Sequence, residues 1–322
     1  MIVVGGEALV DLVPSDSSGG DPPDVTSQAL HPRLGGGPFN VAVSAGRLGA
    51  PVRFLSRVST DAFGDALVAR LASSGVDTAF VQRGPEPTTL AVTSMAADGG
   101  ARYTFYAGAT ADRLFADPGE LPGEVTMLCL GTLSLVLEPG ASGYEAVLRR
   151  EAARGVLTAL DPNIRIALIT DPDAYRARFA SWLPDIGLLK LSIEDAAWLG
   201  EEPGEGPREP IDLARGWQRS GPAAVVVTRG SRGLAVLTGS GELVESPAVP
   251  TRVVDTIGAG DTVLGALLAW LYRHGIRDIA TLRSMGTATW HSALKYASSA
   301  AAVTVSRAGA EPPFANELHH PI

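Results

Sequence analysis

Short runs of aliphatic and β-branched residues recur at 2–4, 52–58, 125–130, 156–160, 186–191 and 223–227, without the alternation of a strand that has one face in water. Such runs suit strands buried on both faces, as in a parallel sheet covered by helices. Between them, 63–73, 144–154, 174–183 and 213–220 carry apolar residues at helical spacing, for instance Leu67, Val68 and Leu71. Strand and helix alternate, so the pattern predicts an α/β fold built on a doubly wound, mostly parallel sheet.

Two regions break this rhythm. Residues 8–13, and the pair 90–95 and 102–106, alternate with period 2, and the pair flanks Asp98-Gly99-Gly100, a hairpin signal. They predict a small β-sheet lid, with strands from about 8–35 and 88–108, laid over one edge of the main sheet to cover a substrate and exclude water. Segments 15–24 and 201–210 are rich in Pro, Gly, Ser and acids and read as exposed loops rather than linkers. Residues 1–322 are therefore expected to form one domain with the lid as its appendage.

Composition narrows the partners. A formal net charge of -9 disfavours a sequence-independent hold on nucleic acid or anionic lipid, which needs clustered cations, so a small molecule is the expected partner. The apolar stretch 263–272 is half of the roughly 20 residues that span a membrane. The single cysteine, Cys129, lies in an apolar run and has no internal disulfide partner, and the start of the chain lacks a basic segment with a cleavage site. Both point to a reducing, cytoplasmic setting. The five histidines show no metal-ligand spacing, and His319-His320 lies in a polar tail, so zinc is not expected.

The chemistry concentrates in Asp255-Thr256-Ile257-Gly258-Ala259-Gly260-Asp261, which precedes an amphipathic helix. Glycines at a helix start let the backbone approach a ligand, while free N–H groups and the helix dipole face an anion. Asp261 in the first turn is expected to be held ionised by that dipole and to accept a hydroxyl proton. A second cluster, Gly35-Gly36-Gly37-Pro38-Phe39-Asn40, also opens a helix. It would turn the Asn40 amide, both donor and acceptor, toward sugar hydroxyls, unless Asn40 is a plain helix cap.

With these motifs the chain resembles the ribokinase-like carbohydrate kinases, the PfkB family, and within it the bacterial fructokinases. The resemblance rests on residues 5–11, 35–40, Asp161-Pro162-Asn163-Ile164-Arg165, residues 190–195, Thr228-Arg229-Gly230-Ser231-Arg232-Gly233 and the segment from Asp255 to Asp261. It implies that Asp11, Gly36 and Asn40 hold sugar hydroxyls beneath the lid residues Arg102, Phe105 and Tyr106. Asp261 would be the base, and Gly258, Ala259 and Gly260 the anion hole, with Asn163 and Arg165 near the γ-phosphate or the sugar. ATP would lie along Lys190, Ser192, Thr228, Gly230 and Gly233, since the chain has no Walker loop. Mg²⁺ is implied with the nucleotide, placed through water by Asp195 in preference to Glu194. Asp255, with residues near Ser306 and Gly309, would surround a monovalent cation such as K⁺, or else fix the turn. Family members commonly dimerise through the lid.

The leading reading is phosphorylation of D-fructose to fructose 6-phosphate, with 2-keto-3-deoxygluconate or ribose as alternative substrates. A nicotinamide-dependent oxidoreductase would need Gly-x-Gly-x-x-Gly after the first strand, which Gly5-Gly6-Glu7 does not supply. A catalytically silent sugar-binding regulator is the third class, and the intact glycine turn with Asp261 argues against it.

Overall fold

A computed structural model describes residues 1–14, 29–95, 101–201, 206 and 208–318. Its strands in chain order are β1 (Ile2–Gly5), β2 (Leu9–Pro14), β3 (Leu30–Gly35), β4 (Val52–Ser59), β5 (Val76–Asp77), β6 (Val81–Gly84) and β7 (Leu90–Met95). There follow β8 (Ala101–Tyr106), β9 (Met127–Gly131), β10 (Leu157–Asp161), β11 (Leu188–Ser192), β12 (Ala224–Thr228), β13 (Leu234–Leu237) and β14 (Leu243–Ser246). The helices are α1 (Gly37–Arg47), α2 (Ala62–Ser73), α3 (Gly140–Ala153), α4 (Pro172–Trp182), α5 (Ile193–Leu199), α6 (Pro210–Gln218), α7 (Ala259–Arg273), α8 (Ile279–Arg283) and α9 (Thr287–Val305).

The main sheet runs β14-β13-β12-β11-β10-β9-β1-β4-β5, with β6 also paired to β4. The pairs from β12 to β5 are parallel, while β13 and β14 add an antiparallel edge that the hydrophobic runs did not reveal. Successive strand residues face opposite layers, as the period of 2 requires. Ile2, Val4, Met127, Cys129 and Leu157 pack with α1, α2, α7 and α9, whereas Val3, Leu128, Leu130 and Leu160 pack with α3 and α4. Cys129 is buried in the first of these layers.

The second sheet, β3-β2-β7-β8, is the small sheet expected over the main one. β7 and β8 pair antiparallel from Leu90↔Tyr106 to Met95↔Ala101, so they form a hairpin. Its turn at Asp98-Gly99-Gly100, the loop at 15–24, part of 201–210 and the His319-His320 tail lie outside the described residues. Leu9, Ala91 and Phe105 pack against Leu133, Leu137 and Leu168, which fixes this sheet above the main body. Among the described residues no helix is long and apolar enough to cross a membrane.

Close packing of α1 on α7 sets the geometry used below. A Cβ at Gly265 would stand 2.6 Å from Ser44 Cβ and 2.7 Å from the Val41 carbonyl oxygen, so the two helices touch through this glycine. Gly265→Val is expected to force them apart, destabilising the protein by about 1–3 kcal/mol in urea unfolding. Wild-type stability in that variant would show that the contact has slack.

Candidate active site

Strand β1 lies where the strand order reverses, with β9 on one side and β4 on the other. In open parallel sheets the crevice beyond the carboxyl ends of such strands collects functional groups. Here the segments leaving β1, β9 and β10 bring Glu7, Thr132, Asn163 and Arg165 to one cavity of about 330 Å³, joined by Lys190 from β11. The small sheet closes it from above with one face: Leu9, Asp11 and Val13 on β2, Thr93 on β7, and Tyr103 and Phe105 on β8. The starts of α1 and α7 complete the wall.

Both helices begin at glycines without a side-chain cap, Gly36 with φ 110° and Gly258 with φ 74°. Their first-turn N–H groups lack intrahelical acceptors; in α1 the Gly37 N–H is taken by Glu7 and Pro38 has none, whereas in α7 the N–H groups of Gly260 and Asp261 face a ligand. By contrast α2, α4 and α5, which start elsewhere, are capped by Asp61, Asp171 and Ser192. Gly258 admits no other residue readily, because its backbone is left-handed and a Cβ would meet Ala310 Cα at 2.9 Å. The turn is pinned by Asp255, whose Oδ1 accepts from the Ile257 N–H at 2.9 Å and whose Oδ2 accepts from the Gly309 N–H at 2.8 Å.

Asn40 sits inside the first turn of α1 rather than at its cap, and its Nδ2 donates to Asp261 Oδ2 at 2.9 Å. Two residues 221 apart in sequence thus share one buried contact. Burial raises the Asp261 carboxyl above its usual range, with the Asn40 donor and the charges of Lys190 and Arg165 opposing. Burial therefore outweighs the donors and cations around it, and the carboxylate is a stronger proton acceptor than a solvated one. Asp11 is raised to about 6, mainly by burial, with Arg165 opposing and Asp261 adding. Glu7 is fully enclosed and pushed up to about 8 by burial, and its two oxygens accept from the N–H groups of Gly37 and Ser134. It fixes the entry to α1.

Asn163 and Thr132 have φ of 38° and 61°, an uncommon region for residues other than glycine, and both line the cavity. Arg165 turns back over its own loop, with Nη1 donating to Asn163 Oδ1 at 2.7 Å. Lys190 Nζ donates to Asp161 Oδ2 at 2.7 Å beneath the α7 turn.

A second, more apolar cavity of about 570 Å³ adjoins the first, lined by Thr228, Gly230, Gly233, Val249, Ala259 and Val263 among others. Thr256 and Gly260 line both cavities. The α7 turn is therefore the partition where contents of the two would meet.

Of the residues singled out in the sequence, Asp11, Gly36, Asn40, Phe105, Asn163, Arg165, Gly258, Gly260 and Asp261 line the first cavity. Lys190, expected beside the nucleotide residues, lines that cavity too, while Thr228, Gly230, Gly233 and Ala259 line the second. The Ala259 N–H donates to the Thr256 carbonyl at 3.3 Å. Ser192, Asp195 and Asp255 line neither cavity. Ser192 and Asp195 form a reciprocal capping box at the start of α5, and Asp195 also accepts from the Ile164 N–H at 2.7 Å. Both Asp195 oxygens are thus engaged by protein donors, and the described residues hold no cluster of three acidic, histidine or cysteine side chains for a metal.

Tyr106, expected to close over the sugar, does not. It is 61 % exposed and absent from the cavity wall, because alternate residues of β8 face opposite ways and Tyr103 and Phe105 take the inner face. Their rings stack at 6.3 Å between centroids. Arg102 pairs with Ser94 in the hairpin, and its side chain lies outside what the structure describes. Sequence reasoning missed Tyr103, which strand alternation from Phe105 would have found, and Thr132, for which only its place at a strand end was a signal; Glu7 and Asp161 lie in segments it quoted but were given no role.

Comparison with known proteins agrees with this architecture. Residues 1–316 match the family described as pfkB family carbohydrate kinase. The chain is 36% identical over 287 residues to a fructokinase of Rhizobium leguminosarum bv. trifolii, covering 88% of this chain and 84% of that one. It is 33% identical over 279 residues to a fructokinase of Klebsiella pneumoniae, covering 85% of each. Its fold is similar to the crystal structure of fructokinase with bound ATP from Xylella fastidiosa, with a TM-score of 0.84, 26% identity and coverage of 96% of this chain and 93% of that chain. Matched along nearly its whole length, the chain belongs to the pfkB family of carbohydrate kinases.

Proposed function

We propose that this sugar kinase transfers the γ-phosphoryl group of ATP to the C6 hydroxyl of D-fructose, giving fructose 6-phosphate and ADP, with Asp261 as general base. The observation that carries the reading is the Asn40–Asp261 pair at the start of α7, on a turn whose Gly260 walls both cavities. In this reading the polar cavity takes the sugar, with Asp11, Gly36, Asn40 and Asn163 at its hydroxyls and Tyr103 and Phe105 over it. The apolar cavity takes the base of the nucleotide, along Thr228, Gly230 and Gly233. The phosphates then reach the α7 turn, where N–H groups of the Gly258–Asp261 segment, Lys190 and Arg165 offset charge on the phosphoryl group.

Asp261 takes the hydroxyl proton as the oxygen attacks, and the small sheet keeps water from competing. Mg²⁺ bound to the nucleotide would neutralise phosphate charge, and no step here depends on a protein ligand to it. Fructose as substrate is supported by the relatives named fructokinase at 33–36% identity. Cytoplasmic placement and homodimerisation through the small sheet belong to the same proposal.

A coupled assay with ATP over a panel of fructose, ribose and 2-keto-3-deoxygluconate tests the assignment. Fructose is expected to give the highest kcat/KM. A higher value for another sugar overturns the substrate, and no turnover with any sugar overturns the roles given to the site.

A further inference from the structure

Asp161 closes β10 and Lys190 lies beside it on β11, their side chains 5% and 4% exposed. A buried ion pair is a poor source of stability, since each charge loses its water and the attraction seldom compensates. This one is poorer still, because Asp161 Oδ1 is buried and has no hydrogen-bond partner among the described residues. Stability does not account for it.

Its chemistry is also out of character for the chain. Lys190 and Lys295 are the only lysines, against 24 arginines, and other ion pairs such as Arg57–Glu86, Arg150–Asp117 and Arg178–Glu145 use arginine. An ammonium is a compact point charge, which a branched guanidinium is not. Its place explains the choice: a Cβ on Gly260 would stand 3.0 Å from Lys190 Nζ, so the ammonium lies against the turn shared by the two cavities.

We propose that Asp161 is a positioning residue for phosphoryl transfer, holding the Lys190 ammonium fixed and charged against Gly260 where the two cavities meet. This rests on the placement of the phosphoryl group at that turn. Burial alone would lower the Lys190 ammonium, yet it is raised, foremost by Asp161 and then by Asp195 from α5 and Asp261 from α7. Asp161 is itself raised by burial, with Lys190 opposing, and the buried Cys129 thiol on β9 faces the pair without charge because burial raises it far above its usual range. With Asp161→Asn the shape stays and the main counter-charge goes. Lys190 then loses its proton at lower pH than in the wild type.

The test combines kinetics with magnetic resonance. Asp161→Asn is expected to lower kcat by about ten-fold or more near pH 8 and by less near pH 6.5, moving the alkaline limb of the profile down while KM for fructose stays within a few-fold. A kcat profile parallel to the wild type overturns the inference, since a purely structural defect would lower activity evenly. With two lysines in the chain, a ¹³C-lysine titration reads Lys190 directly in the wild-type protein, so the idea stays testable even should the variant fold poorly. Lys190 titrating below the ordinary lysine range overturns it. Lys190→Met with wild-type turnover removes the phosphoryl group from this turn and the inference with it, whereas an impaired Lys190→Met beside an unaltered Asp161→Asn removes the inference alone.

Discussion

Asp261→Asn is expected to lower turnover of fructose by about 10²- to 10⁴-fold, the contribution usual for a general base, while both substrates still bind. The amide has the shape of the carboxylate, and its oxygen can still accept from Asn40, so the contact that joins α1 to α7 at 2.9 Å survives. What disappears is the capacity to take a proton. The carboxyl is raised by burial, so wild-type activity should fall as pH drops through that raised value and the base becomes protonated. Asp11, raised to about 6, titrates close by, so the acid limb belongs to the cluster and the decisive reading is kcat in the variant at neutral pH. Isothermal titration with fructose checks that binding persists. Turnover within a few-fold of the wild type would take Asp261 out of the reaction.

How much of this was legible before the coordinates follows from the range of each interaction. Buried parallel strands declare themselves as local apolar runs, so β1, β4, β9, β10, β11 and β12 were all foreseen within two or three residues. β13 and β14 are four residues each and owe their pairing to the neighbouring edge, which a window along the sequence does not contain. The glycine turn before Asp261 and the cluster before Asn40 were readable because a helix start has local chemistry. Their meeting across 221 residues was not, since it depends on Gly265 bringing α1 onto α7. The lid shows the opposite case: strand alternation places Tyr103 with Phe105 and excludes Tyr106, information that was local and was overlooked. Likewise the sequence motifs placed Lys190 beside the nucleotide, but only the β10–β11 pairing supplies Asp161 as its partner and turns it toward the α7 turn.

Gly260→Val is expected to remove activity without removing the fold, with turnover lower by about 10²- to 10³-fold, as when a group aligned on developing charge is lost. The two glycines of the turn differ in this respect. Gly258 needs a left-handed backbone and abuts Ala310, so a side chain there would disturb the helix start itself. Gly260 lies within the first turn of α7, and a Cβ there would meet only the end of the Lys190 side chain, at 3.0 Å from Nζ and 3.8 Å from Cε. That end can move, so thermal unfolding should stay close to the wild type. The branched side chain would then occupy the boundary between the cavities and push aside the ammonium, so that sugar and nucleotide bind separately while the phosphoryl group no longer reaches the hydroxyl. KM for fructose should change less than kcat, because Asp11, Gly36 and Asn163 belong to other segments, although Asn40 contacts Asp261 beside the substitution. Wild-type turnover in a folded Gly260→Val protein would mean that the phosphoryl group passes elsewhere, and that the shared turn is a partition and not a passage.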